Sequence, residues 1–166
     1  VTFTRVAAED LHRELVGMGV PRCVELEGVT LHSLSLRMLM RNHVLGATNR
    51  VARPLNVFEL APLIADLMKD YNGKRKVGKL MQAYEAAWAR LQHHDPGFAQ
   101  SPIDVQFGTD LLNWLKFHRA MLIGEVIPLF HGYLRTNPAA QERREFAHIL
   151  VDEFQDLNKA EQDVVR

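Results

Sequence analysis

The sequence contains a single cysteine, Cys23, and therefore cannot form an intramolecular disulfide bond. We expect a reducing, cytoplasmic environment, because disulfides accumulate in oxidising compartments. No apolar run approaches the roughly 18 residues that a membrane span requires, and no signal-peptide pattern opens the chain, so we expect no membrane partner. The 20 basic residues balance 20 acidic ones, which excludes a globally basic nucleic-acid binder but leaves room for a local basic groove.

The chain also lacks a glycine-rich loop that ends in Gly-Lys-Thr or Gly-Lys-Ser. Such a loop supplies the backbone amides and the lysine that hold nucleotide phosphates. Residue 1 is valine rather than methionine, and the last residues stop inside a predicted helix. We therefore expect the chain to be a piece of a longer protein, with any phosphate-binding loop outside it.

The first part of the chain alternates strand-like and helix-like patterns. Residues 1–4 alternate apolar and hydroxyl side chains, and residues 23–29 alternate again, which predicts two short strands. Helical spacing predicts one helix over residues 7–16 and another from Ser33. The order strand, helix, strand, helix is typical of an α/β layer.

The middle of the chain shows only helical patterns. Asn56 followed by Glu59 is a capping-box signature, and an apolar stripe at helical spacing comes after it. A second stripe covers residues 77–91, and after a loop a third helix is predicted from about Thr109. We therefore expect an all-helical block inserted into an α/β frame.

A near-continuous apolar run precedes two acidic residues near the end of the chain. Phe146 and residues 149–151 predict a strand that is buried on both faces of a parallel sheet. Asp152 and Glu153 then fall at the carboxyl edge, where the ligands of open α/β sheets bind. There Asp152 can hold Mg²⁺, and Glu153 can orient or deprotonate a water molecule. An Asp-Glu pair taken alone is equally compatible with the polar start of a loop.

Three stretches together resemble motifs of UvrD/Rep-type superfamily 1 DNA helicases. The string Ile-Leu-Val-Asp-Glu-Phe-Gln-Asp at residues 149–156 resembles motif II, the Walker B element. Thr-Phe-Thr-Arg at residues 2–5 resembles motif Ia, with arginine in place of asparagine. Thr-Leu-His-Ser at residues 30–33 resembles motif Ib, with leucine in place of phenylalanine. The three stretches occur in the order that this family uses.

The resemblance implies a helix-rich α/β fold, namely a partial RecA-like P-loop NTPase domain with an all-helical insertion subdomain. It assigns residues 1–46 to the first part of the RecA-like motor domain and residues 47–118 to the helical insertion. Residues 119–166 form the return segment with Walker B. The implied parent protein is an ATP-dependent DNA helicase that couples Mg-ATP hydrolysis to translocation on single-stranded DNA and to strand separation, in DNA repair or recombination. The isolated fragment is expected to be inactive.

The resemblance also implies residue roles. ATP and Mg²⁺ are the implied cofactors. Asp152 would bind Mg²⁺, Glu153 and Gln155 would be catalytic, and all three would contact the nucleotide, with Asp156 supporting the coupling to DNA. Single-stranded DNA and duplex junctions are the implied partners, and nothing in the sequence points to an obligate protein partner. The implied DNA-binding residues are Thr2, Phe3, Thr4, Arg5, Thr30, His32 and Ser33.

Two other classes of function remain compatible with the sequence. The chain can be a DNA-binding or scaffolding module that derives from a helicase and has lost turnover, or the motor part of a helicase–nuclease. A basic cluster near Asn72 and Gly73 is compatible with a solvated helix junction and also with contact to duplex DNA. Its members are Lys69, Lys74, Arg75, Lys76 and Lys79.

Overall fold

Helices dominate the described part of the chain, which in this computed structural model comprises residues 1–2, 5–19, 28–92 and 101–166, without the Arg5 side chain. The α-helices in these ranges are α1 Arg5–Gly17, α2 Leu31–Leu39, α3 Asn42–Thr48, α4 Leu60–Leu67, α5 Lys74–Ala89, α6 Pro102–Phe117, α7 Val126–Thr136 and α8 Lys159–Val165. Short 3₁₀ helices cover Ile123–Glu125, Gln141–Arg144 and Phe154–Asp156. The helix-rich character that the sequence predicts is confirmed.

A first hydrophobic core lies where α7 packs against α2 and α8, with α3 alongside. Leu31, Leu34 and Met38 repeat at helical spacing, so α2 presents one apolar stripe to this core. Val126 and Phe130 of α7 are buried against that stripe. This core draws on both ends of the chain, because α2 and α3 precede the helical block whereas α7 and α8 follow it.

A second core lies among α4, α5 and α6. Leu63 and Leu67 of α4 are one helical turn apart, and Leu111 and Leu115 of α6 are spaced in the same way. Val77 of α5 is fully buried in the same core as these two pairs. The apolar stripes of the three helices thus pack against one another, as their spacing predicts. None of the described helices has the length and apolar character to cross a membrane.

The two chain segments that join the two cores run side by side. The Leu55 amide donates to the Met121 carbonyl at 2.9 Å, and the Met121 amide donates to the Arg53 carbonyl at 3.0 Å. Beside this pairing, the buried guanidinium of Arg50 lies 2.6 Å from the buried carboxylate of Glu125. Burial raises the pKa of Glu125, and the charge of Arg50 opposes that rise. A paired buried charge therefore fixes the junction between the cores.

The capping box at the start of the helical block is confirmed. The Asn56 side-chain oxygen accepts from the Glu59 amide at 3.0 Å, and the Glu59 carboxylate accepts from the Asn56 amide at 3.0 Å. Regular α-helix begins one residue later, at Leu60. Reciprocal capping therefore orders the turn that leads into α4.

The predicted start of the third helix, near Thr109, is wrong, because α6 begins at Pro102. Ser101 and Asp104 form a capping box, and Pro102 occupies the first helical turn. Proline suits that position since its missing amide has no helical partner there, and its φ is already helical. The signal was present in the sequence, but Pro102 favoured the interpretation as a loop.

The α/β expectation is not confirmed, since the described residues form isolated β-bridges and no regular strand. The predicted buried strand before Asp152 is wrong for this structure, in which the side chains of Phe146, Ile149 and Leu150 are 42%, 41% and 77% exposed. A strand buried on both faces needs partners along both edges and helices over both faces. Among the described residues, the backbone of this stretch pairs only with Val1, through Leu150 and Asp152. Most of the strand predicted over 23–29 lies outside the described residues.

Candidate functional site

Three backbone segments that carry the predicted motifs pair side by side. The Val1 nitrogen donates to the Leu150 carbonyl at 2.6 Å, and the Asp152 amide donates to the Val1 carbonyl at 3.0 Å. On the other side, Thr2 forms a parallel bridge with Thr30. Both pairings have the pattern of parallel strands, whose carboxyl ends meet at one edge. The backbone at Thr2, the start of α2 and the Asp-Glu pair therefore adjoin.

A close backbone contact fixes α1 against the central segment. A Cβ atom on Gly28 would lie 2.4 Å from the carbonyl oxygen of Ala8, which is nearer than real side chains approach. Ala8 is buried, and Gly28 immediately precedes the segment that pairs with Thr2. Glycine at position 28 thus lets the helix after the first motif pack onto the start of the second.

The acidic motif forms a tight turn with its carboxylates in solvent. Asp152 and Glu153 are exposed, and Glu153 has φ 50° and ψ 47°, a left-handed conformation that is uncommon for a residue other than glycine. The Asp156 amide donates to the Glu153 carbonyl at 2.9 Å, and the Gln155 side-chain amide donates to the Glu153 carboxylate. The predicted catalytic pair, Glu153 and Gln155, is therefore in direct contact. Backbone strain of this kind clusters at functional sites.

Thr30 and Ser33 lie at the amino end of α2. The Thr30 hydroxyl oxygen accepts from the Ser33 amide at 3.2 Å and so caps the helix. Both side chains are half-buried. The hydroxyl hydrogen of Thr30 is not used in this cap, and helix amino ends attract anions through their free amides and dipole. This end of α2 is thus suited to a phosphate.

His32 contacts a carboxylate that the sequence does not single out. Its Nδ1 lies 3.6 Å from an oxygen of Glu161, whose side chain is 4% exposed. Burial lowers the pKa of His32, and the charge of Glu161 opposes that change. Glu161 also completes a capping box with Asn158 at the start of α8. His32 therefore links the second motif to the helix that follows the acidic motif, and the Asn-x-x-Glu spacing was the available signal.

The structure describes the other predicted DNA-binding residues only in part. Phe3 and Thr4 lie outside the described residues, and only the backbone of Arg5, the first residue of α1, is described. Thr2 is 2% exposed, so its side chain lies inside the fold, and its contact with DNA stays a prediction. The basic cluster is exposed, with Lys69 paired to Asp66 at 3.2 Å, which is compatible with both of its interpretations.

The three segments thus lie side by side, and a second, all-helical core lies between the second and the third of them in the chain. The sequence profile of the UvrD/REP helicase N-terminal domain matches residues 1–166, so the chain belongs to that family, as predicted. The chain is 28% identical, over 175 residues, to DNA helicase II of Haemophilus influenzae; the match covers 96% of this chain and 24% of that protein. The chain thus spans about a quarter of this relative's length. No solved structure matches it.

Proposed function

We propose that this chain carries the magnesium-binding and DNA-facing edge of the motor of an ATP-dependent DNA helicase. The observation that carries the proposal is the parallel pairing of the segments that end in Thr2, Thr30 and Asp152. Ligands of α/β proteins bind at such carboxyl edges. Family membership supports the same assignment. We propose a motor part, residues 1–46 and 119–166, and a helical insertion, residues 47–118. The two cores support this division except near its bounds, where Ala52 joins the first core and Ala120 and Leu122 join the second.

The exposed carboxylates fit one part of a Mg-ATP site. Among the described residues, no group of three or more His, Cys, Asp and Glu side chains is arranged to hold a metal ion. Magnesium commonly takes one or two carboxylates and completes its shell with water and phosphate oxygens, so Asp152 alone is sufficient from this chain. When bound, Mg²⁺ would neutralise charge on the phosphates of ATP. The amides and lysine for those phosphates are absent from these 166 residues.

Glu153 and Gln155 have distinct proposed roles. The Glu153 carboxylate, which is exposed to solvent, is the base that orients the attacking water. The Gln155 side-chain amide, which donates to that carboxylate, holds it in one orientation. A ligand that moves Gln155 would therefore move the base, which gives a physical route for coupling DNA contact to hydrolysis.

The DNA side of the proposal rests on the second motif. Thr30, His32 and Ser33 lie at the amino end of α2, next in the pairing order to Thr2. Hydroxyl and imidazole groups at such a position donate to phosphate oxygens without regard to base identity. Single-stranded DNA is the expected ligand, and the role in repair or recombination, the preference for duplex junctions and the direction of movement belong to the proposal for the parent protein.

The decisive test uses the protein expressed from its complete reading frame. We expect Glu153→Gln to lower DNA-stimulated phosphate release from Mg-ATP by at least about 100-fold, the usual range for loss of a general base. The matched control is Glu14→Gln, an exposed glutamate on α1, which should leave the rate unchanged. Retention of the wild-type rate by Glu153→Gln would refute the assignment. DNA binding without any phosphate release in the wild type would favour a non-motor module.

The 166-residue chain alone is expected to release no phosphate from Mg-ATP, because it contains no phosphate-binding loop. It should bind single-stranded DNA weakly, since it supplies only one wall of a groove. Both are measured with purified chain, against a no-protein blank and by anisotropy of a labelled oligonucleotide. Phosphate release that is lost on Glu153→Gln, or submicromolar affinity at physiological salt, would contradict this expectation.

A further inference from the structure

Two phenylalanines outside the motifs project almost entirely into solvent. Phe58 is 88% exposed and Phe117 is 83% exposed, the highest values for large apolar side chains in the described ranges. Val57, next to Phe58, is 81% exposed. Single exposed apolar residues are ordinary, but exposed aromatic rings that lie on one surface indicate a binding site.

The Arg53 guanidinium joins the two segments that carry these rings. It donates to the carboxylate of Glu59, the residue after Phe58. It also donates to the carbonyl of His118, the residue after Phe117, at 3.2 Å. One guanidinium thus contacts the residue after each phenylalanine, so the backbone segments that carry Phe58 and Phe117 adjoin.

Phe117 is exposed but supported by other rings. Its ring meets that of His118 edge to face with centroids 5.0 Å apart, and the His118 ring lies 3.9 Å from that of Trp114. The Trp114 indole donates to Asp66 at 3.0 Å, which ties the series of rings to α4. A ring supported in this way loses little conformational entropy when a ligand stacks on it.

The charged groups around the rings favour an anionic ligand. The nearby carboxylates already have partners: Glu59 pairs with Arg53, and Asp66 pairs with Lys69. Arg119 is exposed and follows His118 directly. The surface therefore offers aromatic faces with a cationic neighbour, which is the combination that binds unpaired bases and their phosphates.

We propose that Phe58 and Phe117 form a stacking platform for the unpaired bases of single-stranded DNA, with Arg119 at the phosphate. These three residues constitute the platform. Its two rings lie on the helical block, Arg119 directly follows that block, and none of the three residues belongs to the motifs. The platform rests on the proposed function only in the choice of ligand. Stacking tolerates any base, as a translocating protein requires.

The test compares two labelled oligomers of about 16 nucleotides, oligo(dT) and an abasic chain of the same length. With the purified chain at low salt, Phe58→Ala with Phe117→Ala should weaken oligo(dT) binding by about tenfold or more, as expected for lost base stacking. Binding of the abasic chain should not change. Met18→Ala, a 73% exposed apolar residue on another segment, is the matched control and should have no effect.

A second readout does not depend on affinity. Photo-crosslinking with 5-iododeoxyuridine in the oligomer should label the peptides that contain Phe58 or Phe117. The proposal would be overturned if the double variant lost affinity equally for oligo(dT) and the abasic chain, or lost none. Crosslinks confined to peptides without Phe58 and Phe117 would overturn it as well. If the double variant instead changes self-association by sedimentation and leaves DNA binding intact, the platform is a protein contact. The double variant His32→Ala with Ser33→Ala separates the platform from the proposed function. If it weakens DNA binding and the double phenylalanine variant does not, the proposed function stands and the platform is refuted.

Discussion

Glu142 offers the sharpest test of how the fold is held together, because its side chain is completely buried. Its carboxylate accepts from Arg41 at 3.0 Å, from the Tyr133 hydroxyl at 3.0 Å and contacts the His43 ring at 2.8 Å. Burial opposes ionisation of Glu142, yet these hydrogen bonds, with that of its own backbone amide, outweigh burial and lower its pKa to about 2.

The direction in which stability changes with pH follows from proton linkage. The folded-state pKa lies below the ordinary value of 4.5, so the stability that Glu142 contributes is present above about pH 4.5 and is lost as pH falls towards about 2. At about 1.36 kcal/mol for each pH unit of difference, the contribution is about 3 kcal/mol near pH 7 and roughly 1.4 kcal/mol near pH 3. Glu142→Gln removes this contribution, so the difference from wild type should shrink by about half over that range.

The assay is urea denaturation of the chain, with unfolding measured by far-ultraviolet circular dichroism. Tryptophan fluorescence is not suitable here, because both tryptophans lie in the second core whereas Glu142 lies beside the first. The control is Glu145→Gln. Glu145 also pairs with Arg41, at 2.5 Å, but its side chain is 32% exposed, so the loss should be at most about 1 kcal/mol. Equal losses for the two variants, or a Glu142→Gln difference that stays constant with pH, would refute the reasoning.

Two further predictions use the same measurement with tryptophan fluorescence. Gly108→Ala should destabilise the second core by about 1–3 kcal/mol, because its Cβ would lie 2.6 Å from the Tyr84 ring, whereas Gly78→Ala, with nothing within 4 Å, should stabilise it by about 1 kcal/mol. Equal changes in the free energy of unfolding for the two variants would contradict the close packing of Gly108 against Tyr84. Glu125→Ala should cost about 3–5 kcal/mol by leaving Arg50 buried without its partner, and Arg50→Ala added to it should cost less than the sum of the single losses. Additive losses would rule out the pair.

Local signals in the sequence predicted the parts of the fold that depend on nearby residues. The reciprocal bonds of Asn56 with Glu59 join residues three positions apart, and the apolar stripes of α4 and α5 repeat within each turn. Such contacts form wherever the helix forms. The family was likewise predicted from three short motifs, because the residues that define each motif are contiguous.

The candidate site was predictable only in part. The sequence singled out Asp152, Glu153 and Gln155, but the left-handed backbone of Glu153 depends on the turn that follows it. The contact of His32 with Glu161 joins residues far apart in the chain, and only the packing of α2 beside α8 shows it. The exposure of Phe58 and Phe117 could not be predicted either, because the residue type alone does not show whether an apolar side chain is buried or faces solvent.

By itself, the sequence determined the helix-rich character of this protein, the capped turn at Asn56, its family and the identity of its acidic motif. The tertiary structure alone decided that residues 146–151 do not form a buried strand, that Glu142 is enclosed by Arg41 and Tyr133, and that Arg50 meets Glu125 between two cores. The physical reason is the range of the interactions. Helix stripes and caps are satisfied within about four residues, whereas a strand or a buried charge requires a partner from a distant part of the chain.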